Sequence, residues 1–269
     1  MPHGFDLPRR RFLAGLAAAP VLASVTSACG RRGQPERFFE DEGVVELIAA
    51  AEKGDGARAA QLVADGVDPN ALGNDEDPRR VALTPLHYSV EFSPLRAIGV
   101  LLDVGADPLR PHAPDRGPKG GENVPHYAAR RDLAEPLREL LSLRPSVVEA
   151  PARTGGNLLH SVAGSINLED RSDADDSLLR QAIDAGADLD SRQTVSGWTP
   201  LFSAAAVHNW RACLVLIRAG ADAGLRDAQG NRWLGMIMKH DDSMLTAEFR
   251  NGRREVVREL EARGFPTEY

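Results

Sequence analysis

The sequence predicts an all-α solenoid, a row of stacked helix–turn–helix units with projecting loops, on three observations. A Gly-x-Asp turn recurs after apolar helical segments, a helix-opening motif recurs ahead of it, and the two lie 21 residues apart in both units that carry an intact opening and turn.

The turns are Gly66-Val67-Asp68, Gly105-Ala106-Asp107, Gly186-Ala187-Asp188 and Gly220-Ala221-Asp222. Each follows an apolar run, such as Val100-Leu101-Leu102 or Val215-Leu216-Ile217. A glycine just past the last periodic residue stops a helix in the left-handed conformation. The aspartate two residues on can accept a hydrogen bond from the turn backbone.

The openings are Thr84-Pro85-Leu86-His87 and Thr199-Pro200-Leu201-Phe202-Ser203-Ala204. Threonine is a helix cap and proline tolerates the first helical position, so the motif is a helix start. Val124-Pro125-His126-Tyr127-Ala128-Ala129 and Leu158-Leu159-His160 read as degraded copies.

Together these motifs resemble the ankyrin-repeat family over about residues 43–269. The resemblance implies an ankyrin-repeat solenoid of about six units, 43–73, 74–110, 111–150, 151–190, 191–226 and 227–269, the terminal ones divergent. The first lacks the opening motif and the last ends in a helix placed at Glu255 to Arg263, as capping repeats should. Extra residues at 74–80, 111–121, 164–175 and 241–251 map to loops.

Ahead of the repeats lies an address. Arg9-Arg10-Arg11-Phe12-Leu13 matches a twin-arginine export pattern, with Arg9, Arg10, Phe12 and Leu13 as its key positions. The apolar run to Val25 is about 14 residues, too short to span a bilayer. Residues 1–28 therefore read as a signal peptide. Thr26-Ser27-Ala28-Cys29 resembles a bacterial lipobox, with Thr26 standing where Leu or Val is preferred. The resemblance implies lipidation of Cys29, and Gly30 after it implies sorting to the outer membrane. Ordinary cleavage to a soluble periplasmic protein is the alternative. Residues 29–42 read as a tether.

Composition narrows the function. The chain of 269 residues has a net charge of −7, and the first 28 residues are basic, so the rest is more acidic still. An acidic body without a basic stripe excludes nucleic-acid binding as the expected role. Apolar residues at 42% and charged ones at 26% fit a globular chain.

No catalytic constellation stands out, so no enzyme, cofactor or metal is expected. His87, His126 and His160 share one repeat position; the resemblance implies that they bond neighbouring backbone. The acidic run Glu169 to Asp176 lacks the glycine and terminal glutamate of a calcium loop, and Asp176 reads as the cap of the next helix. Cys213, among apolar neighbours, reads as a buried inert thiol.

What is left is recognition. The family resemblance implies a strip of inner-helix positions and loop tips. The inner-helix positions are Glu91, Phe92, Arg130, Arg131, Ala206 and Val207. The tips are Lys119, Glu122, Val195, Ser196, Trp198, Gln229 and Asn231. Phe92 and Trp198 are the aromatic anchor candidates, because aromatics dominate interface energies; Trp198 could equally pack against a neighbouring loop. Trp210 reads as core. The expected function is a monomeric, lipid-anchored module that binds and modulates a periplasmic protein partner. It could be an immunity protein against a secreted toxin, or an accessory or scaffolding factor supporting an envelope or oxidative-stress enzyme.

Overall fold

Helix caps and stops written into the sequence set the architecture. The computed structural model describes residues 33–74, 82–112, 121–165, 176–238 and 247–267. All belong to one compact unit, Arg32–Tyr269. Arg9, Arg10, Phe12, Leu13, Cys29 and Lys119 lie outside the described residues, as does most of each expected loop insertion.

Among the described residues, twelve α-helices form six consecutive pairs. The inner members are α1 (Glu42–Lys53), α3 (Pro85–Phe92), α5 (Val124–Arg130), α7 (Leu158–Ala163), α9 (Pro200–Ala206) and α11 (Leu234–Met238). The outer members are α2 (Gly56–Ala64), α4 (Arg96–Asp103), α6 (Ala134–Leu143), α8 (Ser177–Asp184), α10 (Trp210–Ala219) and α12 (Ala247–Ala262). From α3 to α11 each inner helix packs on the next, and from α2 to α12 the outer helices do the same. A stack with one continuous core results.

The two helix rows bury different amounts because they occupy different places. Residues 85–90, 124–129 and 200–205 are buried without interruption, since an inner helix is covered by its own partner and by both neighbours. Outer helices such as α4 bury one stripe, Ala97, Ile98, Leu101 and Leu102, and leave the other face wet, whereas α10, packed on α8, α9 and α12, buries residues 212–217 without interruption.

The predicted turns close as their chemistry requires. Gly66, Gly105, Gly186 and Gly220 have φ of 103°, 97°, 90° and 110°, a region that costs other residues about 1–2 kcal/mol. The Oδ1 atoms of Asp68, Asp107, Asp188 and Asp222 each accept from the backbone N–H two residues on, at 2.8–3.0 Å. The third pair lacks this turn: Pro145 cannot continue the helix, and a 3-10 turn over Pro145–Glu149 replaces it.

Some local expectations are corrected. Thr84 caps α3 through its side chain, but Thr199 makes no side-chain cap bond. Asp176 stands at the start of α8 without a side-chain cap bond, its backbone (φ −69°, ψ 1°) lying outside the extended conformation of a usual cap. The terminal helix begins at Ala247, well before Glu255. Phe249 packs on the core, and Val256 and Leu260 are buried at helical spacing behind it. The packed region also starts before residue 43. Phe38 and Phe39 sit against Tyr88 at ring-centroid distances of 5.2 and 6.0 Å, so the end of the 29–42 segment is part of the stack rather than tether.

Candidate functional site

The helix starts carry the cross-links that align the units. Asn123 and Asn157 stand at the position of Thr84, three residues before each histidine. Asn123 Oδ1 accepts from His126 N–H at 3.3 Å and its amide donates to the Pro151 carbonyl at 3.1 Å. The Asn157 amide donates to the Asp188 carbonyl at 2.8 Å and lies 3.2 Å from Glu149 Oε1. Glu149 in turn accepts from Asp188 N–H at 2.7 Å.

The three histidines repeat one bonding scheme. Nε2 of His87, His126 and His160 donates to the carbonyls of Glu122, Ala150 and Trp198 at 3.0, 2.8 and 3.0 Å. A carbonyl only accepts, so Nε2 carries the proton and Nδ1 is the acceptor in the neutral ring. Thr84 Oγ1 at 2.8 Å, Ser161 Oγ at 2.6 Å and Asn157 N–H at 3.2 Å serve the Nδ1 atoms. Burial first, and the neighbouring His112 ring second, lowers the His87 pKa to about 3 against a partial offset from the Glu122 carbonyl. Burial also lowers those of His126 and His160. These imidazoles are structural ties between units. In α9 the equivalent residue is Phe202, which stacks on Trp198 instead.

The inner-helix strip is polar and mutually paired where units two and three meet. Glu91 accepts from Tyr127 Oη and pairs with Arg131, whose guanidinium lies 5.3 Å from the Tyr127 ring centre. Burial first, and the Glu91 bond second, pushes the Tyr127 hydroxyl pKa up. Arg130 reaches Glu122 at 2.6 Å. Burial acts to raise the Glu122 pKa, but His112 and the Arg130 guanidinium outweigh it and the net shift is downward.

His112 is a site residue that sequence reasoning missed. Its ring is fully buried, 5.1 Å from the His87 ring and 5.3 Å from Tyr127. Its backbone pairs with Gly121 and Glu122. Nε2 is 4.0 Å from Glu122 Oε2, beyond hydrogen-bond reach. It falls outside the repeated opening motif, so no periodic signal marked it.

Both aromatic anchor candidates are engaged within the chain. Phe92 is half-buried against Phe38 and Tyr88, at 5.3 and 5.1 Å. Trp198 is half-buried and stacks on Phe202 at 6.2 Å. Trp210 is half-buried and packed on the core. Cys213 is fully buried, and burial pushes its thiol pKa up.

The exposed positions of the strip lie at the ends of α5 and α9 and on the later loops. Val195 is 85% exposed, while Gln229, Asn231, Arg130, Arg131 and Ala206 are exposed and Val207 is half-buried. Ser196 is half-buried and donates to Gln193 Oε1 at 2.9 Å. Under these tips the loops are tied together. Thr194 N–H donates to the Thr154 carbonyl and Ala228 N–H to the Ser196 carbonyl, both at 2.9 Å. Arg192 adds a bond to the Arg226 carbonyl at 2.9 Å. Among the described residues no group of three or more His, Cys, Asp or Glu could hold a metal, and no helix is long and apolar enough to cross a membrane.

Helix pairs stacked through capped inner helices, with loops tied into a row beside them, define a repeat solenoid. Its fold is the ankyrin-repeat fold, as solved structures show. The chain is similar to the ankyrin repeat domain of Bcl-3, with TM-score 0.57, 23% identity, and 79% of this chain and 85% of that one covered. It is also similar to an ankyrin repeat domain from Acinetobacter baumannii AYE, with TM-score 0.55, 21% identity, and 81% and 98% covered. Against the human ASB11 ankyrin repeat domain the TM-score is 0.51 at 20% identity, with 79% and 81% covered. No protein-family model matches the sequence, and comparison with curated proteins returns no match.

Proposed function

We propose that this protein is a non-enzymatic binding module of the cell envelope. Exported through its twin-arginine segment and held to the outer membrane by acyl chains on Cys29, it binds and modulates one periplasmic protein partner. The observation that carries the binding reading is the tied row of loops with Val195 at its tip. An exposed apolar side chain on a pre-ordered support loses little conformational freedom on docking. Arg130 and Arg131 extend the same face with charged groups that steer an encounter. The address rests on Arg9, Arg10, Phe12 and Leu13 and on the small residues before Cys29. Each acyl methylene placed in the bilayer contributes about 0.8 kcal/mol to such an anchor. A partner that is a toxin would make the protein an immunity factor.

Crosslinking capture from intact cells tests the binding. The unaltered protein should capture one stoichiometric partner, and Val195→Asp, at a site with no packing role, should lose it. Capture of several weak partners, or capture unaffected by Val195→Asp, would refute the reading. The address is tested by fractionation. Arg9→Lys with Arg10→Lys should stop export, and Cys29→Ser should release the protein from the membrane; unchanged fractionation of either variant rejects that part.

A further inference from the structure

The last unit carries a second feature that the loop row does not use. A groove of about 580 Å3 opens along α12, lined by Met238 from the end of α11 and by Asn251, Arg253, Arg254, Val257 and Arg258. That volume lies within the roughly 300–1,000 Å3 of ligand clefts. Asn251, Arg254 and Arg258 recur at helical spacing and are all exposed. Phe249, Val256 and Leu260 hold α12 to the core from another stripe. The acidic residue of the lining, Glu255, pairs with Arg218 of α10 at 3.1 Å. Three arginines thus line the groove beside apolar Met238 and Val257, with Arg254 Nε at 3.4 Å from the Arg250 carbonyl, on a chain whose net charge is −7.

We propose that this groove is a second docking site, taking an acidic peptide segment of a protein partner with an apolar side chain between its carboxylates. The proposal rests on the protein-binding reading above and adds the partner's chemistry. Carboxylates accept the paired N–H groups of arginine in a fork geometry that lysine cannot reproduce. The apolar side chain covers Val257 and Met238, the latter a flexible surface that adapts to different shapes. Elsewhere the acidic chain repels an acidic segment, so the cationic rim directs it to this place.

Full-length protein is titrated, by fluorescence anisotropy, into a labelled Glu-Leu-Glu-Leu-Glu peptide and into Lys-Leu-Lys-Leu-Lys as a control. Expected is saturable binding of the acidic peptide alone, weakened about tenfold or more by Arg254→Glu with Arg258→Glu and by raised salt. Arg254→Lys with Arg258→Lys should retain part of the affinity. Circular dichroism checks that the exposed substitutions leave the fold intact. No binding, equal binding of both peptides, or binding unchanged in the charge-reversed variant would overturn the proposal. Self-association or anionic-vesicle binding lost in that variant would also overturn it, by assigning the groove to a second copy or to a lipid surface. Val195→Asp should leave peptide binding unchanged, so failure at the groove and failure at the loop row are read separately.

Discussion

Mild acid should destabilise the stack through its histidines before its carboxylates matter. His87 titrates near 6.5 when unfolded and about 3 when folded. A base whose folded pKa is depressed contributes its full stability above the unfolded value. That stability is lost as pH falls from 6.5 towards 3, because the unfolded chain takes up the proton and the folded one does not. At pH 5 the loss from His87 alone is about 2 kcal/mol, at roughly 1.4 kcal/mol for each pH unit below 6.5. His126 and His160 are shifted the same way by burial and add to it. Glu122 and Asp227 are lowered, so their contributions are lost only at more acid pH. The interval from pH 6.5 to 5 therefore belongs to the imidazoles. Urea unfolding at pH 7 and pH 5 measures the effect in the unaltered protein and in His87→Gln, which cannot titrate. The variant is expected to be weaker at pH 7 but to lose about 2 kcal/mol less on acidification. Identical pH dependence of the two proteins would refute the assignment of His87 as a buried neutral tie.

Asn157→Ala removes a cap and the bond to the Asp188 carbonyl at a site 1% exposed, so a loss of about 1–3 kcal/mol in urea unfolding is expected. Gly252→Ala improves intrinsic helix propensity by about 1 kcal/mol, yet its Cβ would collide with the Trp210 ring. Overpacking of that kind costs about 1–3 kcal/mol, so the melting temperature should fall; a rise would show that Trp210 can move aside. Asp132 holds φ of 56° between α5 and α6, and Asp132→Gly should stabilise by about 0.5 kcal/mol, read as a higher urea midpoint.

Features fixed by backbone chemistry were legible in the sequence. Gly66, Gly105, Gly186 and Gly220 announce helix stops because the left-handed conformation disfavours a side chain. The spacing put His87, His126 and His160 at one shared position, and the family resemblance implied the tie that their Nε2 bonds make. Features set by a particular neighbour were not legible. Trp198 reads equally as anchor or packing residue until Phe202, which stands where other units have the histidine, is seen to stack on it. Phe92 looks like an exposed aromatic until Phe38, which precedes the first helix, is found covering it. The start of α12 was placed late because residues 241–251 read as an inserted loop; Gly252 lies inside the helix, where an added Cβ would meet the Trp210 ring.

The same distinction bears on where recognition can reside. At the junction of units two and three, Glu91, Tyr127, Arg131, Glu122 and Arg130 pair with one another. A partner displacing those pairs must match the charge interactions it removes, so this region discriminates between partners more than it drives binding. Around units four to six the internal bonds lie beneath the tips instead. Backbone bonds at 2.9 Å and the Arg192 bond hold the loops from below, while Val195 stays outside them. There a docking surface can cover apolar area without first breaking a tie. Affinity is accordingly expected from the later loops and selectivity from the earlier inner helices.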